Sequence, residues 1–314
     1  MNSTDRPHRS PWPDISLLGV ALIWGVNIPL MKLGLEGVER FAFNAVRLLL
    51  SALILVPLAL REAPFQGVRP PGFRWSVALY ALIASGVYQW TFILGVSRTA
   101  SGNGSLIMAT VPMWTAILAR LLLGDRLSTQ AKLGLVIAFL GTSIVALQKD
   151  LQGGESPLVG NIFMLLAALT WAWGTVHSRK VLPYISPMRL SAISSAAMLP
   201  LQFLFAYDSV QEFVPQLRET RVWGPLVYAG LLSTGLALPM WSYGVRHSGA
   251  AQAAVFQNLV PIVAIASAWL INREPVTGSQ ILGGALIIGG LILVRRSPSA
   301  PSPAAVNPVP VNAE

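Results

Sequence analysis

Ten runs of about twenty apolar residues, separated by short polar connections, govern what this chain can fold into. About 20 residues is the length an α-helix needs to cross roughly 30 Å of hydrocarbon. Only helices and closed barrels satisfy their backbone polar groups there, and barrel strands would show alternating runs about half as long. No such alternation occurs. Charged residues make up 11% of the 314 positions and hydrophobic ones 54%, whereas a water-soluble domain carries roughly 25% charged residues. The sequence therefore predicts an all-α integral membrane protein, with transmembrane helices near 15–34, 41–60, 75–95, 101–122, 131–148, 158–178, 188–206, 223–243, 251–271 and 279–294.

Residues 1–13 and 297–314 are polar or Pro-rich without helical period and read as disordered tails. The first run lacks a small-residue cleavage site, so it is expected to remain in the mature protein. A net charge of +9 does not point to nucleic acid, because the basic residues stand singly between apolar runs and form no phosphate-binding stripe. They mark topology instead. Fourteen of the 22 Lys and Arg fall on the side of the N-terminus and seven on the other, with Arg47 inside the second run. Cytoplasmic loops carry such an excess, so both termini are expected in the cytoplasm, which requires an even number of spans. A bacterial inner membrane is the expected location. The sequence has no Cys and three scattered His (His8, His177 and His247), which excludes disulfides, thiolate chemistry and a His-based metal site. No bound cofactor or metal is expected.

Sliding the chain on itself by 149 residues lays 95–141 on 244–290 without a gap. Gly95, Val111, Pro112, Gly134 and Gly141 then fall on Gly244, Val260, Pro261, Gly283 and Gly290, and Trp24-Gly25 falls on Trp173-Gly174. Each half holds five runs. An odd number inserts the second half upside down relative to the first, so the expected fold is ten transmembrane helices as two inverted five-helix repeats, 14–148 and 158–296, joined by a loop at 149–157. Such a repeat places a site at the membrane midplane and provides two mirror-related conformations, the basis of alternating access.

The first half opens with Trp24-Gly25-x-Asn27, then Lys32, then Arg47 after FAFNAV. Each half closes on a related hairpin, LLLGDRLSTQAKLGLVIAFLGTSIV and WLINREPVTGSQILGGALIIGGLILV. In these motifs the chain resembles the drug/metabolite transporter superfamily, specifically its ten-helix EamA branch, and the likeness covers 14–296. The resemblance implies a permease that exports a small metabolite. The aromatic residues of the first, third, sixth and eighth runs are most similar to the aromatic and hydrophobic amino-acid exporters. The membrane Arg is not duplicated: the counterpart of Arg47 in the seventh run lies near Ser195, so any role of Arg47 is played from one half only.

All thirteen carboxylates fall in tails, connections or span ends. A proton-coupled antiporter usually buries an Asp or Glu that loads and releases a proton as its surroundings switch. Without one, the simplest mechanism is facilitated diffusion, and the expected function is export of aromatic or hydrophobic amino acids, or similar small amphipathic metabolites, by a uniporter. The expected partners are a small-molecule substrate and the lipid bilayer, with no nucleic acid and no obligate protein partner. The alternative is a proton-coupled drug or metabolite exporter with its proton step at His177. Its position one turn from Arg179 and Lys180 also suits an interfacial histidine. An enzyme or receptor fits least, since no run carries paired carboxylates, a metal cluster or a nucleophile with its base.

Trp12, Trp75 and Trp223 stand at run starts and read as interface anchors. Trp24 with Asn27, Tyr80 and Tyr88 with Gln89, and Trp171 and Trp173 lie mid-run beside polar neighbours. Tyr80, Ala84, Tyr88 and Thr91 recur at helical spacing as an amphipathic stripe. A cavity of rings with a few hydroxyls and amides suits a small amphipathic solute, while helix packing is the alternative for any single ring. Asn103 and Gln252 begin matching runs, where helix N-termini offer free N–H groups to a carboxylate. The Gly and Ala around them equally suit close helix packing. Pro112 and Pro261 each remove a backbone bond to the carbonyl four residues earlier, at Met108 and Gln257, and are candidate gate hinges; proline is also frequent in membrane helices for packing alone. Arg47 is a functional candidate as an intramembrane cation, with a substrate carboxylate or a helix C-terminus as its partner. Asp125 and Glu274 precede Ser128 and Thr277, which are positioned to cap the next helices.

Overall fold

The computed structural model describes residues 11–63, 66–124, 128–147, 157–248, 256–257 and 259–296, and every regular element among them is a helix. Seven helices long and apolar enough to cross a membrane come first: α1 (Trp12–Gly34), α2 (Arg40–Arg61), α3 (Phe73–Val96), α4 (Ser101–Leu123), α5 (Thr129–Leu147), α6 (Pro157–Val181) and α7 (Pro187–Phe205). A short helix, α8 (Tyr207–Gln216), follows. The eighth long apolar segment, Thr220–Trp241, belongs to α9, which runs as Thr220–Val227, Tyr228–Leu236 and Ala237–Ser248. Two further helices complete the described chain, α10 (Leu259–Asn272) and α11 (Gly278–Arg296), the apolar stretch of the latter being Gly278–Val294.

The sequence predicts ten spans, and among the described residues eight helices meet the length and hydropathy of a crossing. α10 and α11 fall on the ninth and tenth expected runs and are not among those eight. The start of the ninth run, including Gln252, lies outside the described residues, as does Asp125. α8 is not foreseen. It buries Phe213, and the Gln216 side chain accepts from Glu39 N and donates to Gly37 O, so it rests on the α1–α2 connection.

Large apolar side chains such as Leu121, Leu133, Leu270 and Ile281 are more than half exposed, while Asn44, Ser51 and Gln202 are buried. That distribution suits hydrocarbon solvent, in which exposed apolar surface carries no penalty and polar groups must find partners inside. Trp12, Trp75 and Trp223 are exposed near helix starts, as expected of interface anchors.

Lipid tails are as apolar as leucine, so helices in a bilayer associate through close packing and buried polar contacts. α5 and α11 use glycine. A Cβ on Gly134 would lie 2.5 Å from the Gly290 carbonyl oxygen, and one on Gly141 would lie 2.6 Å from that of Gly283. The 149-residue shift carries Gly134 onto Gly283 and Gly141 onto Gly290, so it exchanges one contact for the other.

The same shift relates two distortions. α3 widens to π-helix over Ala81–Val87 and α9 over Tyr228–Leu236, and 81–87 falls on 230–236. A π-turn breaks the regular hydrogen-bond ladder and frees carbonyls for other donors. The Ser233 oxygen accepts from Trp24 Nε1 at 2.9 Å and the Ser85 oxygen from Gln202 Nε2 at 3.5 Å. α4 is interrupted at Ala109 and Thr110, so Pro112 sits in the first turn of the second piece, Val111–Leu123. Its missing N–H is harmless there.

At the end of the molecule where α1 stops, Glu274 joins three elements. It pairs with Lys32 at 3.0 Å and accepts from Ser101 N at 2.8 Å and Ser101 Oγ at 2.9 Å. At the far end of α2, about 33 Å away at 1.5 Å per residue, the Ser186 hydroxyl donates to Glu62 and Arg189 donates to the Glu62 carbonyl. The expected caps are in place, Ser128 Oγ on Ala131 N and Thr277 Oγ1 on Gln280 N.

The glycine seam can be tested by overpacking, which typically costs about 1–3 kcal/mol. Gly134→Leu should lower the melting temperature of the detergent-purified protein. Gly289→Leu, where an added Cβ meets nothing within 4 Å, should leave it unchanged. Equal losses in the two variants would show that helix propensity, not the seam, is being measured.

Candidate functional site

A cavity of about 310 Å³ lies among the helices. α1 contributes Trp24 and Asn27, α2 contributes Arg47, and α3 contributes Tyr80, Ser85, Tyr88 and Gln89. α4 supplies Met108 and Pro112, α6 supplies Trp171, and α7 supplies Ser191, Ser194 and Ser195. α9 adds Ser233, Thr234 and Trp241, and the last wall holds Gln257 and Pro261. Both widened helices and the α4 break border this space, so irregular backbone occurs where a cavity adjoins it.

Arg47 is 3% exposed, and its guanidinium is held by neutral acceptors. Nε and Nη2 donate to Asn44 Oδ1 at 3.2 and 2.7 Å, Nη2 also donates to Gln89 Oε1, and Nη1 reaches Thr234 Oγ1 at 3.4 Å. Asn44 Nδ2 passes the chain to Gln202 Oε1 at 3.3 Å. Among the described residues no carboxylate pairs with Arg47. Ser85 donates to Ser194 at 2.9 Å. The 149-residue shift carries Ser85 onto Thr234 and Arg47 onto Ala196, two residues past Ser194, so this bond lies near the place that matches the Arg47–Thr234 contact.

Ring contacts form the apolar walls. Trp24 and Trp241 lie 5.5 Å apart between centroids, and Tyr88 lies against Phe92 at 5.5 Å and Trp171 at 4.9 Å. Trp24 is fixed by its bond to the Ser233 carbonyl. The walls thus offer rings that suit an apolar body and a guanidinium that suits a carboxylate.

Of the residues expected at the site, Trp24, Asn27, Arg47, Tyr80 and Tyr88 line the cavity, as do both candidate hinges, Pro112 and Pro261. Three expected residues do not line it. Asn103 is fully buried and accepts from Gln280 Nε2 at 2.8 Å, tying α4 to α11. The helix N-terminus offered there to a substrate is occupied by the protein's own carboxylate, Glu274 on Ser101 N. Trp173 stacks on His177 at 4.6 Å, and His177 Nε2 lies 3.0 Å from the Ser76 carbonyl, both away from the cavity. Two residues apart on a helix is about 200° of rotation, so Trp171 and Trp173 cannot share one face, and the face of Gly174 packed on Ala84 carries Trp171 inward. Gln252 is outside the described residues. Sequence reading missed Trp241, Thr234, Gln202 and Asn44. Only Asn44 left a local sign, three residues before Arg47 and so beside it on α2.

The family model described as the EamA-like transporter family matches residues 11–147 and again 158–296. The chain belongs to the EamA-like transporter family. It is 25% identical to the transporter YoaV of Bacillus subtilis over 89% of this chain and 95% of that one. It is 25% identical to a probable amino-acid metabolite efflux pump of Salmonella typhimurium over 87% and 91%, and 26% identical to a probable terminal-alkyne amino-acid exporter of Streptantibioticus cattleyicolor over 90% and 92%. A solved crystal structure aligns with a TM-score of 0.61 and 17% identity over 91% of this chain and 98% of the other, a likeness of fold.

For this EamA-like transporter the ring walls give a direct test. A fully buried ring contributes about 1.5–3 kcal/mol of apolar contact, and 1.4 kcal/mol is tenfold in affinity. Trp171→Ala should weaken binding of an aromatic ligand by roughly tenfold, and Trp173→Ala should leave it unchanged. Matching losses in titrations of the two variants would show that Trp171 acts through packing alone.

Proposed function

We propose that the protein exports small amphipathic carboxylates, aromatic and hydrophobic amino acids among them, by alternating access as a facilitative uniporter. The observation that carries this reading is Arg47, a buried cation on the wall of a ring-lined cavity with no carboxylate partner among the described residues. Such a group attracts a substrate carboxylate while rings receive the remainder. The Salmonella and Streptantibioticus relatives, named for efflux of amino-acid metabolites and of a terminal-alkyne amino acid, support the same class.

Alternating access follows from reading the chain as ten crossings in two inverted halves, 14–148 and 158–296, with 149–157 between them. Three observations support that reading: the family match occurs twice, the Gly134–Gly290 and Gly141–Gly283 contacts exchange under the repeat, and both π-helical segments fall at matching positions. Both termini are placed in the cytoplasm of a bacterial inner membrane on the Lys and Arg distribution. On that orientation the Lys32–Glu274–Ser101 cluster is an outer latch, and Pro187, Ser191 and Trp241 mark the cytoplasmic reach of the cavity. Pro112 and Pro261 serve as equivalent hinges, one in each inverted half and on opposite sides of the membrane. Uniport follows from the carboxylate-free span interiors.

Proteoliposomes loaded with unlabelled L-phenylalanine should take up labelled L-phenylalanine by counterflow, at the same rate with and without an imposed pH gradient. Trp24→Ala should reduce uptake of phenylalanine more than that of alanine. Accumulation driven by a pH gradient alone would overturn the uniport mechanism, and loss of counterflow for every amphipathic carboxylate would overturn the substrate class.

A further inference from the structure

The cavity is electrically lopsided. Arg47 brings a permanent positive charge, since a guanidinium does not deprotonate in a protein, and no Asp or Glu is among the described residues that line the cavity. The neighbouring sequence adds none. There is no Asp or Glu between Glu62 and Asp125, or between Glu219 and Glu274, stretches that contain α3, α4, α9 and α10.

A substrate ammonium in this space would need a counter-charge or an open ring face. The rings are largely engaged with each other, Trp24 with Trp241 and Tyr88 with Phe92 and Trp171. The serine and threonine hydroxyls of the wall are neutral. Of the buried polar atoms without a hydrogen-bond partner among the described residues, the one on a cavity-lining side chain is Asn27 Oδ1, on a residue 7% exposed. A lone amide oxygen matches a single N–H donor. It does not neutralise an ammonium.

We infer that the cavity selects monoanionic amphipathic carboxylic acids, N-acylated amino acids among them, over zwitterionic amino acids. The inference rests on the exporter reading above and narrows its substrate class. The carboxylate meets Arg47 and brings the net charge of the site to zero. In an N-acylated amino acid the amide N–H is the single donor that Asn27 Oδ1 lacks, and the apolar body lies on the rings. A free amino acid makes the same carboxylate contact but leaves a second cation in a low-dielectric space that already holds one, without an anion to offset its desolvation.

The test uses four probes that share one phenyl ring: 3-phenylpropanoate, N-acetyl-L-phenylalanine, L-phenylalanine and 2-phenylethylamine. Each is titrated calorimetrically into the full chain purified in detergent. Both anions should bind at least about tenfold more tightly than phenylalanine, with the amine weakest. Arg47→Gln should collapse the series to within about threefold, and Arg47→Lys, which keeps the charge, should preserve the order. The wild-type ranking alone decides the matter should Arg47→Gln not fold. Phenylalanine binding as tightly as the anions, and still depending on Arg47, would overturn the charge selection and leave the exporter of amphipathic carboxylates standing. Carboxylate binding that is indifferent to both Arg47 substitutions would overturn both.

Discussion

A guanidinium fixed by amides and a hydroxyl, with no carboxylate beside it among the described residues, organises the centre of this molecule. Charge inside a membrane is costly, and proteins normally offset it with an opposite charge or with water in a cavity. Here Asn44, Gln89 and Thr234 hold Arg47 in place, and Asn44 is itself held by Gln202, whose amide reaches the Ser85 carbonyl. These contacts fix the direction of the cation without cancelling its charge. They also join α2, α3, α7 and α9 into one polar core, so movement of any of these helices alters what the cation meets.

The helices reach these positions because their backbones depart from regularity where the cavity lies. The π-helical turns of α3 and α9 free carbonyls, and two of these are taken up by Trp24 and Gln202, both from other helices. Elsewhere the packing is dry and tight, most of all along the glycine contacts of α5 and α11. Rigid seams at the edge and adjustable turns around the cavity divide the molecule into parts suited to holding shape and parts suited to changing it.

The fold was legible in the sequence to the extent that one physical rule set it. Runs of apolar residues mark hydrocarbon-spanning helices, and helices were found under all ten runs, eight of them long and apolar enough to cross a membrane among the described residues. The cavity lining was legible where a polar or aromatic residue sat mid-run on a face shared with others, as for Trp24 with Asn27 and Tyr80 with Tyr88. It was misread where the 149-residue repeat was trusted to carry side chains as well as backbone. Trp173 matches Trp24 in register but points elsewhere, because Gly174 seats α6 on Ala84 and turns Trp171 inward. Asn103 was misread because the anion at its helix start comes from Glu274, more than 170 positions along the chain, a pairing no local pattern reveals.

The repeat duplicates the scaffold without duplicating the charge. Where one half sets Arg47 against Thr234, the other sets Ser194 against Ser85. The proposed cycle therefore has one cation for two conformations, and its charge is present in both. A ligand bound equally by two states shifts neither, so the carboxylate contact holds substrate without favouring one face of the membrane. Net direction then comes from the substrate gradient. Preference between conformations is left to groups that form and break contacts at the ends of the helices, of which the Lys32–Glu274–Ser101 cluster is closed in this structure.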